Sequence, residues 1–334
     1  MKDPAFTENL LRWYAEYGRD LPWRRTRDPY AIWLSEIILQ QTRIAQGTAY
    51  WERFMARFPD VQALAGATED EVLRLWEGLG YYSRGRNLLV AARQIAAQEA
   101  FPDTLEGIRA LKGVGDYTAA AIGSIAFGLP AAVVDGNVYR VLSRHYGIAT
   151  PVGTTAAKKE FSALAQALLP EDRPGDFNQA MMDFGAMQCT PATPACLTCP
   201  FAVTCDALRT GRTGLLPVKK APVPVQTRRM RYIYLRCGEE TAFHRRGPGD
   251  IWQGLWEPVL EEGEYRGFPD MQLLRAGVRH QLTHRTLIAD FYLLECAEKP
   301  ALPEDYRWVR EAELGQYAKP RLIEILLDAL PSGR

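Results

Sequence analysis

LKGVGDYTAAAI, at residues 111–122, is the stretch that decides the expected fold of the first two hundred residues. Gly113 and Gly115 flank Val114, and glycine allows the positive φ angles that a tight turn between two helices needs. Strong helix formers follow, so a helix should begin directly after the turn. Its free backbone N–H groups can hold a phosphate without any cationic side chain. Most Gly-x-Gly turns before a helix bind no ligand, so the motif alone makes this hairpin no more than a candidate phosphate site.

A second polar position follows about twenty residues later, in VVDGNVYRVL at residues 133–142. Asp135 lies where a helix is expected to begin. Aspartate at such a position ordinarily caps the helix by accepting a hydrogen bond from a backbone N–H group. Taken alone, the pattern favours a capping role for Asp135 over a catalytic one.

The N-terminal part of the chain has the apolar period of helices. The pattern is clear in residues 29–58 and 69–98, and Pro and Gly residues interrupt it. Residues 215–226, LLPVKKAPVPVQ, contain three prolines and two lysines, which is typical of an extended linker. The sequence before this linker therefore predicts an all-α domain.

The amino-acid composition changes after the linker. Residues 231–237, 240–246 and 287–296 are rich in aromatic and β-branched residues and predict strands, whereas RLIEILLDAL near the end predicts a helix. We therefore expect three parts in the chain: an all-α domain at 1–214, an interdomain linker at 215–230 and a smaller α+β domain at 231–334.

The charge and hydropathy of the chain exclude several classes of protein. Forty Lys and Arg residues balance forty Asp and Glu residues among 334, so the formal net charge is zero. This argues against a strongly basic protein that coats nucleic acid, although local basic patches or helix N-termini can still bind phosphates. The first ten residues lack the apolar core of a secretory signal, and no stretch approaches eighteen apolar residues. We expect a cytoplasmic monomer with no membrane segment, associated with the nucleoid if bacterial.

Four of the six cysteines lie within seventeen residues, with the spacing C-x6-C-x2-C-x5-C: Cys189, Cys196, Cys199 and Cys205. Cysteines in a reducing compartment seldom form structural disulfides, so metal ligation is the better explanation. Four-cysteine zinc sites usually consist of two CxxC pairs, whereas a compact run suits a [4Fe–4S] cluster. The spacing favours the cluster and leaves zinc open. Cys237 and Cys296 lie in predicted strands and are expected to be buried small side chains.

The hairpin, VDGNVYR at 134–140 and the cysteine spacing together resemble the helix-hairpin-helix glycosylase superfamily of endonuclease III and MutY. Four further segments resemble the MutY family specifically: LPWR (21–24), SEIILQQT (35–42), EGLGYYSRGRN (77–87) and FNQAMMDFGAMQCTP (177–191). Residues 231–334 resemble the C-terminal MutT-like (Nudix) domain of that family. The resemblance implies a multidomain fold, in which an all-α helix-hairpin-helix glycosylase domain with a [4Fe–4S] cluster loop precedes a smaller α+β Nudix-like domain.

The resemblance also implies an activity. MutY enzymes are DNA glycosylases of base excision repair, and they hydrolyse the N-glycosidic bond of adenine mispaired with 8-oxoguanine or guanine in double-stranded DNA. Bifunctional members of the superfamily carry a lysine whose amine attacks the sugar and forms a Schiff base. Tyr117 occupies that position here. Because a phenol cannot form the imine, we expect a monofunctional enzyme with little or no strand cleavage.

Two carboxylates carry the chemistry that the resemblance implies. Taken alone, Glu36 is more readily a solvated or salt-bridged surface glutamate. It matches the family's catalytic Ser-Glu position, however, and by that match would protonate adenine N7 and then activate water. Its apolar neighbours predict a raised pKa. Asp135 matches the carboxylate that stabilises or transiently bonds the sugar C1′. Asn137 matches a residue that orients this aspartate, and Tyr117 one that lies against the sugar and the acid.

Further matches concern DNA and lesion recognition. Gln41 and Tyr81 match residues that fill or wedge the duplex near the lesion. Trp23, Arg24 and Leu79 match residues that line the adenine pocket, although Trp23 and Leu79 are equally consistent with core side chains. In the C-terminal domain, Thr283 and His284 match residues of the loop that contacts 8-oxoguanine. Together with the hairpin, the residues matched to DNA or substrate contacts are Trp23, Arg24, Gln41, Leu79, Tyr81, Gly113, Val114, Gly115, Thr283 and His284.

Two departures from the family pattern weaken particular contacts. The family's Phe-Ser-His loop is Leu282-Thr283-His284 here, so the aromatic side chain is lost while the hydroxyl and imidazole remain. The loop between the first two cysteines, TPATPA at 190–195, lacks the cation that is common in the family. The sequence around Glu261 and Glu262 also lacks the glutamate-rich Nudix motif, so we expect no pyrophosphatase activity.

Two other functions stay open. One is a different glycosylase of the same superfamily, acting on mismatched thymine or on oxidised pyrimidines, although Tyr117 and the MutT-like domain count against the oxidised-pyrimidine enzyme. The other is a non-catalytic iron–sulfur protein that binds DNA. In that case both carboxylates and the hairpin would be coincidental.

Overall fold

The computed structural model describes residues 3–98, 100–220, 225–262, 270–282 and 285–331. The chain divides into two compact units. The first unit consists of Met1–Ala65 and Val90–Ala221, and the second of Gly66–Leu89 and Pro222–Arg334. In the part of the chain that the structure describes, no helix has both the length and the apolar character needed to cross a membrane.

Helices make up the N-terminal two thirds of the described chain. The α-helices are α1 (Pro4–Tyr17), α2 (Pro29–Ile38), α3 (Ile44–Arg57), α4 (Val61–Ala65), α5 (Glu69–Trp76), α6 (Ser83–Ala96), α7 (Leu105–Arg109), α8 (Asp116–Phe127), α9 (Gly136–Tyr146), α10 (Thr155–Leu168), α11 (Pro174–Asp183), α12 (Asp206–Arg209) and, near the C-terminus, α13 (Arg321–Leu327). Short 3-10 helices cover Pro22–Arg24, Cys196–Thr198 and Glu311–Gln316, and a π-helical turn covers Phe184–Gln188. The all-α prediction for this region is confirmed.

Local sequence sets the ends of the helices that carry the site. Asp28 caps α2 by accepting a hydrogen bond from the Tyr30 backbone N–H at 3.0 Å, and Pro29 occupies the first turn, where its missing N–H costs nothing. Helices α8 and α9 each end at a glycine in the left-handed conformation, Gly128 with φ +69° and Gly147 with φ +70°. These signals fix where α2, α8 and α9 begin and end, and so where their polar residues lie.

An apolar core in the first unit holds four of its helices together. Helices α1, α9, α10 and α11 contribute buried side chains that include Phe6, Leu10, Trp13, Val138, Phe161 and Phe177, and Phe184 of the π-helical turn and Phe201 of the loop before α12 join the same core. Burial of each such side chain contributes about 2 kcal/mol. Helix α9 begins just after Asp135, and α11 ends at Asp183. This core therefore fixes the backbone that carries the Asp135 and Asp183 carboxylates.

The second unit contains a seven-stranded sheet. Its strands are β1 (Gln226–Cys237), β2 (Glu240–Arg245), β3 (Trp256–Glu257), β4 (Val259–Glu261), β5 (Gln272–Gln281), β6 (Arg285–Glu295) and β7 (Tyr306–Arg310). The order along the main path is β3-β2-β1-β6-β5, while β4 pairs with β1 and β7 with β2. Only β1 and β6 are parallel among these described pairs. Helix α13 packs Leu322, Ile323 and Leu326 into the same core as the β1 tyrosines.

The three predicted strands correspond to β1, β2 and β6 and the predicted helix to α13, with shifts at their ends, whereas β3, β4, β5 and β7 were not predicted. Strand β1 begins at Gln226, five residues before the predicted start at 231, because residues 226–236 pair continuously with β6. The prediction that Cys237 and Cys296 are buried is wrong, since both are partly exposed. Cys237 is the last residue of β1 and Cys296 directly follows β6. Both therefore lie at the ends of their strands, where the sheet no longer buries the side chains.

Candidate active site

A cavity of about 160 Å³ lies within the first unit. Most of the catalytic and pocket residues expected from the sequence line it, together with polar and apolar residues that were not expected. The lining residues are Arg19, Leu21, Trp23, Arg24, Ile32, Ser35, Glu36, Leu39, Thr42, Ile44, Tyr117, Ile125, Asn137, Gln179 and Met182. Side chains from at least four helical segments therefore converge on one small space.

Glu36 reaches this cavity from α2, a helix that is buried along most of its length. Its neighbours Trp33 and Ile38 are 0% exposed. Burial raises the pKa of Glu36 to about 7. The Arg24 charge and a hydrogen bond from Tyr117 oppose this effect, whereas the negative charge of Asp135 adds to it. A carboxyl group with this pKa exists in both protonation states near neutral pH, which suits a general acid.

Tyr117 lies in the first turn of α8, immediately after the hairpin glycines. Its hydroxyl contacts the Glu36 carboxylate and donates a hydrogen bond to Met182 Sδ at 3.3 Å. Burial raises the Tyr117 pKa well above its usual value, and the charges of Glu36 and Asp135 act in the same direction. Tyr117 therefore keeps its proton and can only orient its neighbours by hydrogen bonding.

Asp135 is the N-cap of α9. Its Oδ1 accepts a hydrogen bond from the Val138 backbone N–H at 2.8 Å, so the capping interpretation is correct. Its Oδ2 accepts a second hydrogen bond from Asn137 Nδ2 at 2.7 Å. Both oxygens of Asp135 are thus held in place by hydrogen-bond donors. Capping and a role in the site do not exclude each other here.

Asn137 is fixed from behind by a residue that the sequence did not single out. Arg140 Nη2 donates to Asn137 Oδ1 at 2.8 Å and to the Gly185 carbonyl at 2.6 Å, while Arg140 Nε donates to the Cys189 carbonyl at 2.7 Å. A Cβ atom on Gly185 would lie 2.6 Å from Asn137 Cβ, so only glycine fits there. The arginine is one helical turn after Asn137, which is the only signal for it in the sequence.

Trp23 and Arg24 form part of the 3-10 helix Pro22–Arg24. Trp23 is 6% exposed and packs edge-on against Trp51, with ring centroids 5.8 Å apart, so it is both a core and a lining residue. Arg24 forms a bidentate ion pair with Asp183, with distances of 2.7 and 2.9 Å. Sequence reasoning missed Asp183, Arg19 and Gln179, since nothing local marks them as partners of the cavity.

Asp135 and those remaining predicted DNA contacts that belong to the described residues are not among the residues that line this cavity. Gln41 has a φ of +59° and Tyr81 a φ of +45°, a left-handed conformation that is uncommon for residues with a side chain and often marks functional positions. Tyr81 and Leu79 belong to the second unit, where they line another cavity of about 580 Å³ with Trp252, His280 and Leu282. Thr283 and His284 lie outside the described residues.

The hairpin turn has the expected positive φ at Gly113 but not at Gly115, whose φ is −99°. Gly113 has a φ of +80°, and the Val114 N–H donates to the Leu111 carbonyl at 3.1 Å. Gly115 is the N-cap of α8 and makes no side-chain capping bond. The opening of α8 thus has free backbone donors of the kind that bind a phosphate.

The four clustered cysteines lie on the loop that follows the π-helical turn. Burial raises the pKa of Cys199 to about 11, and the charges of Cys189, Cys205 and Cys196 add to this effect, so the four thiols lie near one another. Arg144 Nη1 donates to Cys189 Sγ at 3.4 Å and to the Thr190 carbonyl at 2.7 Å. Among the described residues, no group of three or more His, Cys, Asp or Glu side chains is arranged to hold a metal ion. The donor chemistry fits four-thiolate ligation; the choice between a cluster and zinc is not decided by it.

Two family models match parts of the chain. Residues 34–170 match the HhH-GPD superfamily base excision DNA repair protein family, and residues 231–329 match the NUDIX domain. A solved structure of a thermostable thymine-DNA glycosylase is similar over 62% of this chain and 96% of that one, with 30% sequence identity and a TM-score of 0.56. The helix-hairpin-helix fold and the Nudix-like domain predicted from the sequence are both confirmed.

Curated relatives define the family more closely. The chain is 47% identical over 214 residues to the adenine DNA glycosylase of Homo sapiens, covering 61% of this chain and 39% of the human protein, so it spans well under half of that relative. It is 33% identical over 255 residues to the adenine DNA glycosylase of Buchnera aphidicola subsp. Schizaphis graminum (strain Sg), covering 75% of this chain and 74% of that protein. The chain therefore belongs to the adenine DNA glycosylase family.

Proposed function

We propose that this chain is a monofunctional DNA glycosylase that hydrolyses the N-glycosidic bond of adenine mispaired with 8-oxoguanine or guanine in double-stranded DNA. The observation that carries the proposal is a pair of unlike carboxylates: Glu36, which lines the cavity, and Asp135, which accepts a hydrogen bond from Asn137 on the cavity lining. Glu36 has a pKa of about 7 and can donate a proton, whereas Asp135 is held by two hydrogen-bond donors. This is the division of labour that cleavage of a glycosidic bond needs.

Each carboxylate has one task in the proposed reaction. The target adenine leaves the base stack and enters the cavity. Glu36 gives its proton to adenine N7, which makes the base a neutral leaving group, and the carboxylate that remains then accepts a proton from the attacking water. Asp135 stays ionised beside the positive charge that develops on the sugar. A carboxylate about 4 Å from such a cation stabilises it by roughly 4 kcal/mol at an effective dielectric near 20.

The supporting residues act through these two carboxylates or through the DNA. Asn137 holds Asp135, and Tyr117 holds Glu36 without forming an imine. The hairpin turn at Gly113, Val114 and Gly115 would bind a phosphate. Gln41 and Tyr81 would occupy the duplex beside the lesion. We propose that residues 1–214 form the glycosylase domain, that the linker predicted at 215–230 connects the domains up to the start of β1 at Gln226, and that the domain predicted at 231–334, with Thr283 and His284, recognises 8-oxoguanine.

Base release from labelled duplexes tests the proposal. The panel carries adenine opposite 8-oxoguanine, guanine or thymine, thymine opposite guanine, and thymine glycol opposite adenine, each treated with and without alkali. We expect adenine release from the first two duplexes, with strand breaks only after alkali. Release of thymine from the G:T duplex would instead favour the chemistry named for the similar thymine-DNA glycosylase structure. Failure to release any base would leave only DNA binding.

We further propose that Cys189, Cys196, Cys199 and Cys205 hold a [4Fe–4S] cluster. A bound cluster supplies iron–thiolate bonds that would tie residues 189–205 together, and no step of base release passes through it. Purified protein is expected to be yellow-brown, with absorbance near 400 nm that Cys199→Ser removes or weakens. A colourless preparation with one equivalent of zinc would contradict the cluster and support the zinc alternative.

A further inference from the structure

Asp183 is a fully buried carboxylate that the proposed chemistry does not use directly. It is the last residue of α11, is 0% exposed and directly precedes the π-helical turn, an irregularity that is frequent at functional sites. A buried carboxylate is tolerated only when it is paired and hydrogen-bonded. The hydrogen-bond partners of Asp183 therefore indicate its role.

Two arginines satisfy both oxygens of Asp183. Arg24 donates to Oδ2 through Nη1 at 2.7 Å and to Oδ1 through Nη2 at 2.9 Å. Arg19 donates to Oδ2 through its backbone N–H and to Oδ1 through Nε, both at 2.9 Å. Burial alone would raise the pKa of Asp183, but these hydrogen bonds outweigh it and hold the pKa below its usual value. Asp183 is therefore ionised and joins the two cations.

Arg24 connects this ion cluster to Glu36. Its side chain is 12% exposed and lines the same cavity as Glu36. A third hydrogen bond, from Arg24 Nη1 to the Arg19 carbonyl at 3.1 Å, fixes the guanidinium further. After burial, the Arg24 charge is the largest influence on the pKa of Glu36, and it favours the ionised carboxylate. The position of Arg24 thus controls how readily Glu36 holds its proton.

We propose that Asp183 is a positioning residue for adenine release, because its bidentate grip on Arg24 fixes how much positive charge acts on Glu36. This inference rests on the proposed function. The charged and titratable groups that face Glu36 are Arg24 from the 3-10 helix, Tyr117 from α8 and Asp135 from the start of α9, and Arg19 lines the same cavity. Those around Asp183 are Arg19, Arg24 and, more weakly, Tyr14. Asp183 is the one anion in this described set that lies between two cations.

Asp183→Asn removes that anion and leaves Arg19 and Arg24 without its charge. The local charge rises by one unit, and Arg24, no longer held by an ionic pair, is free to approach Glu36. Both effects favour ionised Glu36. We therefore expect the upper limb of the pH–rate profile for adenine release to move to lower pH by about one unit, as expected for a nearby charge. Above that limb the loss is roughly tenfold, and it shrinks as the pH falls.

Arg19→Gln provides a second variant with the opposite expected result. The Asp183–Arg24 pair stays intact while one positive charge is lost, so the upper limb should move to higher pH. Asp176→Asn, on the same helix but in an exposed pair with Arg173, is the matched control and should leave the limb unchanged. Asp183→Glu keeps the charge and should keep the limb close to its position in the unchanged protein, whatever it does to the maximum rate.

The experiment is single-turnover adenine release from the adenine–8-oxoguanine duplex between pH 5 and pH 9, with the full chain and these variants. Opposite shifts for Asp183→Asn and Arg19→Gln support the inference. If Asp183→Asn does not fold, the direction of the Arg19→Gln shift decides alone. A uniform loss of rate, or limbs that do not move, makes Asp183 merely structural and overturns the inference. No adenine release by the unchanged protein at any pH overturns the proposed function, and the inference with it.

Discussion

Glu36 in the first unit and Glu257 in the second are both enclosed carboxyl groups, but their partners differ. Glu257 is 1% exposed, accepts hydrogen bonds from Arg246 Nη1 at 2.5 and 2.7 Å, and accepts a third from Tyr232 Oη at 2.9 Å. Glu36 lies near Arg24, yet that arginine is committed to Asp183. Glu257 has a full set of hydrogen-bond donors, so we expect it to stabilise the fold. Arg24, the cation beside Glu36, is paired with Asp183, so Glu36 can keep a proton and donate it.

The sharpest test of this contrast is Glu36→Gln. The amide has nearly the same shape but cannot donate an acidic proton, so we expect adenine release to fall by about a thousandfold. Mismatch binding and folding should persist. The measurement is single-turnover release alongside a gel-shift titration with the same duplex. Retention of most of the rate would assign the proton transfer to another group.

Asp135→Asn tests the second carboxylate. The amide can still cap α9, but it removes the charge beside the developing cation, which is worth roughly 4 kcal/mol or about a thousandfold in rate. Binding to the mismatch should remain nearly unchanged. Equal loss of binding and of release would instead show that Asp135 acts only as the cap that it makes with Val138.

Glu257→Gln tests the structural side of the comparison. Removing the charge of Glu257 costs about 2 kcal/mol, because Arg246 and Tyr232 lose a buried charged acceptor while Arg246 keeps its ion pair with Asp250. We expect a lower urea midpoint for the full chain, with the pH–rate profile of base release unchanged. Glu298→Gln, at an exposed position, is the control and should move the midpoint by no more than a few tenths of a kcal/mol. A shifted pH limb in Glu257→Gln would break the distinction between the two sites.

Glu36 also predicts a dependence of stability on pH. Its pKa in the folded chain, about 7, lies above the ordinary 4.5, so the folded state holds a proton that the unfolded state releases between these values. The contribution of Glu36 therefore becomes less favourable as the pH rises through that window, and the loss is complete above about pH 7. Glu36→Gln lacks this loss. It should be more stable than the unchanged protein by roughly 2–3 kcal/mol at pH 8 and by little at pH 4.5, which urea unfolding at both pH values measures.

The sequence predicted those parts of the site that are written in short motifs. Glu36, Tyr117 and Asp135 each sit in a local pattern that the family resemblance could assign, and the caps and glycines that place their helices are local as well. The pairing of Asp183 with Arg24 spans 159 residues, and that of Arg140 with the Cys189 carbonyl spans 49. Such contacts exist only once the helices have packed, so no local pattern reports them.

The second unit shows the same limit in another form. Enrichment in aromatic and β-branched residues located β1, β2 and β6 but not the other four described strands, and the start of β1 at Gln226 depends on its parallel pairing with β6. The exposure of Cys237 and Cys296 likewise follows from where that pairing stops. Local composition can indicate that a strand exists, whereas pairing with the neighbouring strand sets where it ends.

The most direct test of the central claim compares the unchanged protein, Glu36→Gln and Glu257→Gln in single-turnover adenine release from the adenine–8-oxoguanine duplex across pH 5.5 to 9. We predict that release by the unchanged protein declines above about pH 7, as Glu36 loses its proton. Glu257→Gln should decline at the same pH, and Glu36→Gln should release little adenine at any pH. A rate for the unchanged protein that stays flat across this range, or persistent release by Glu36→Gln, would contradict the account.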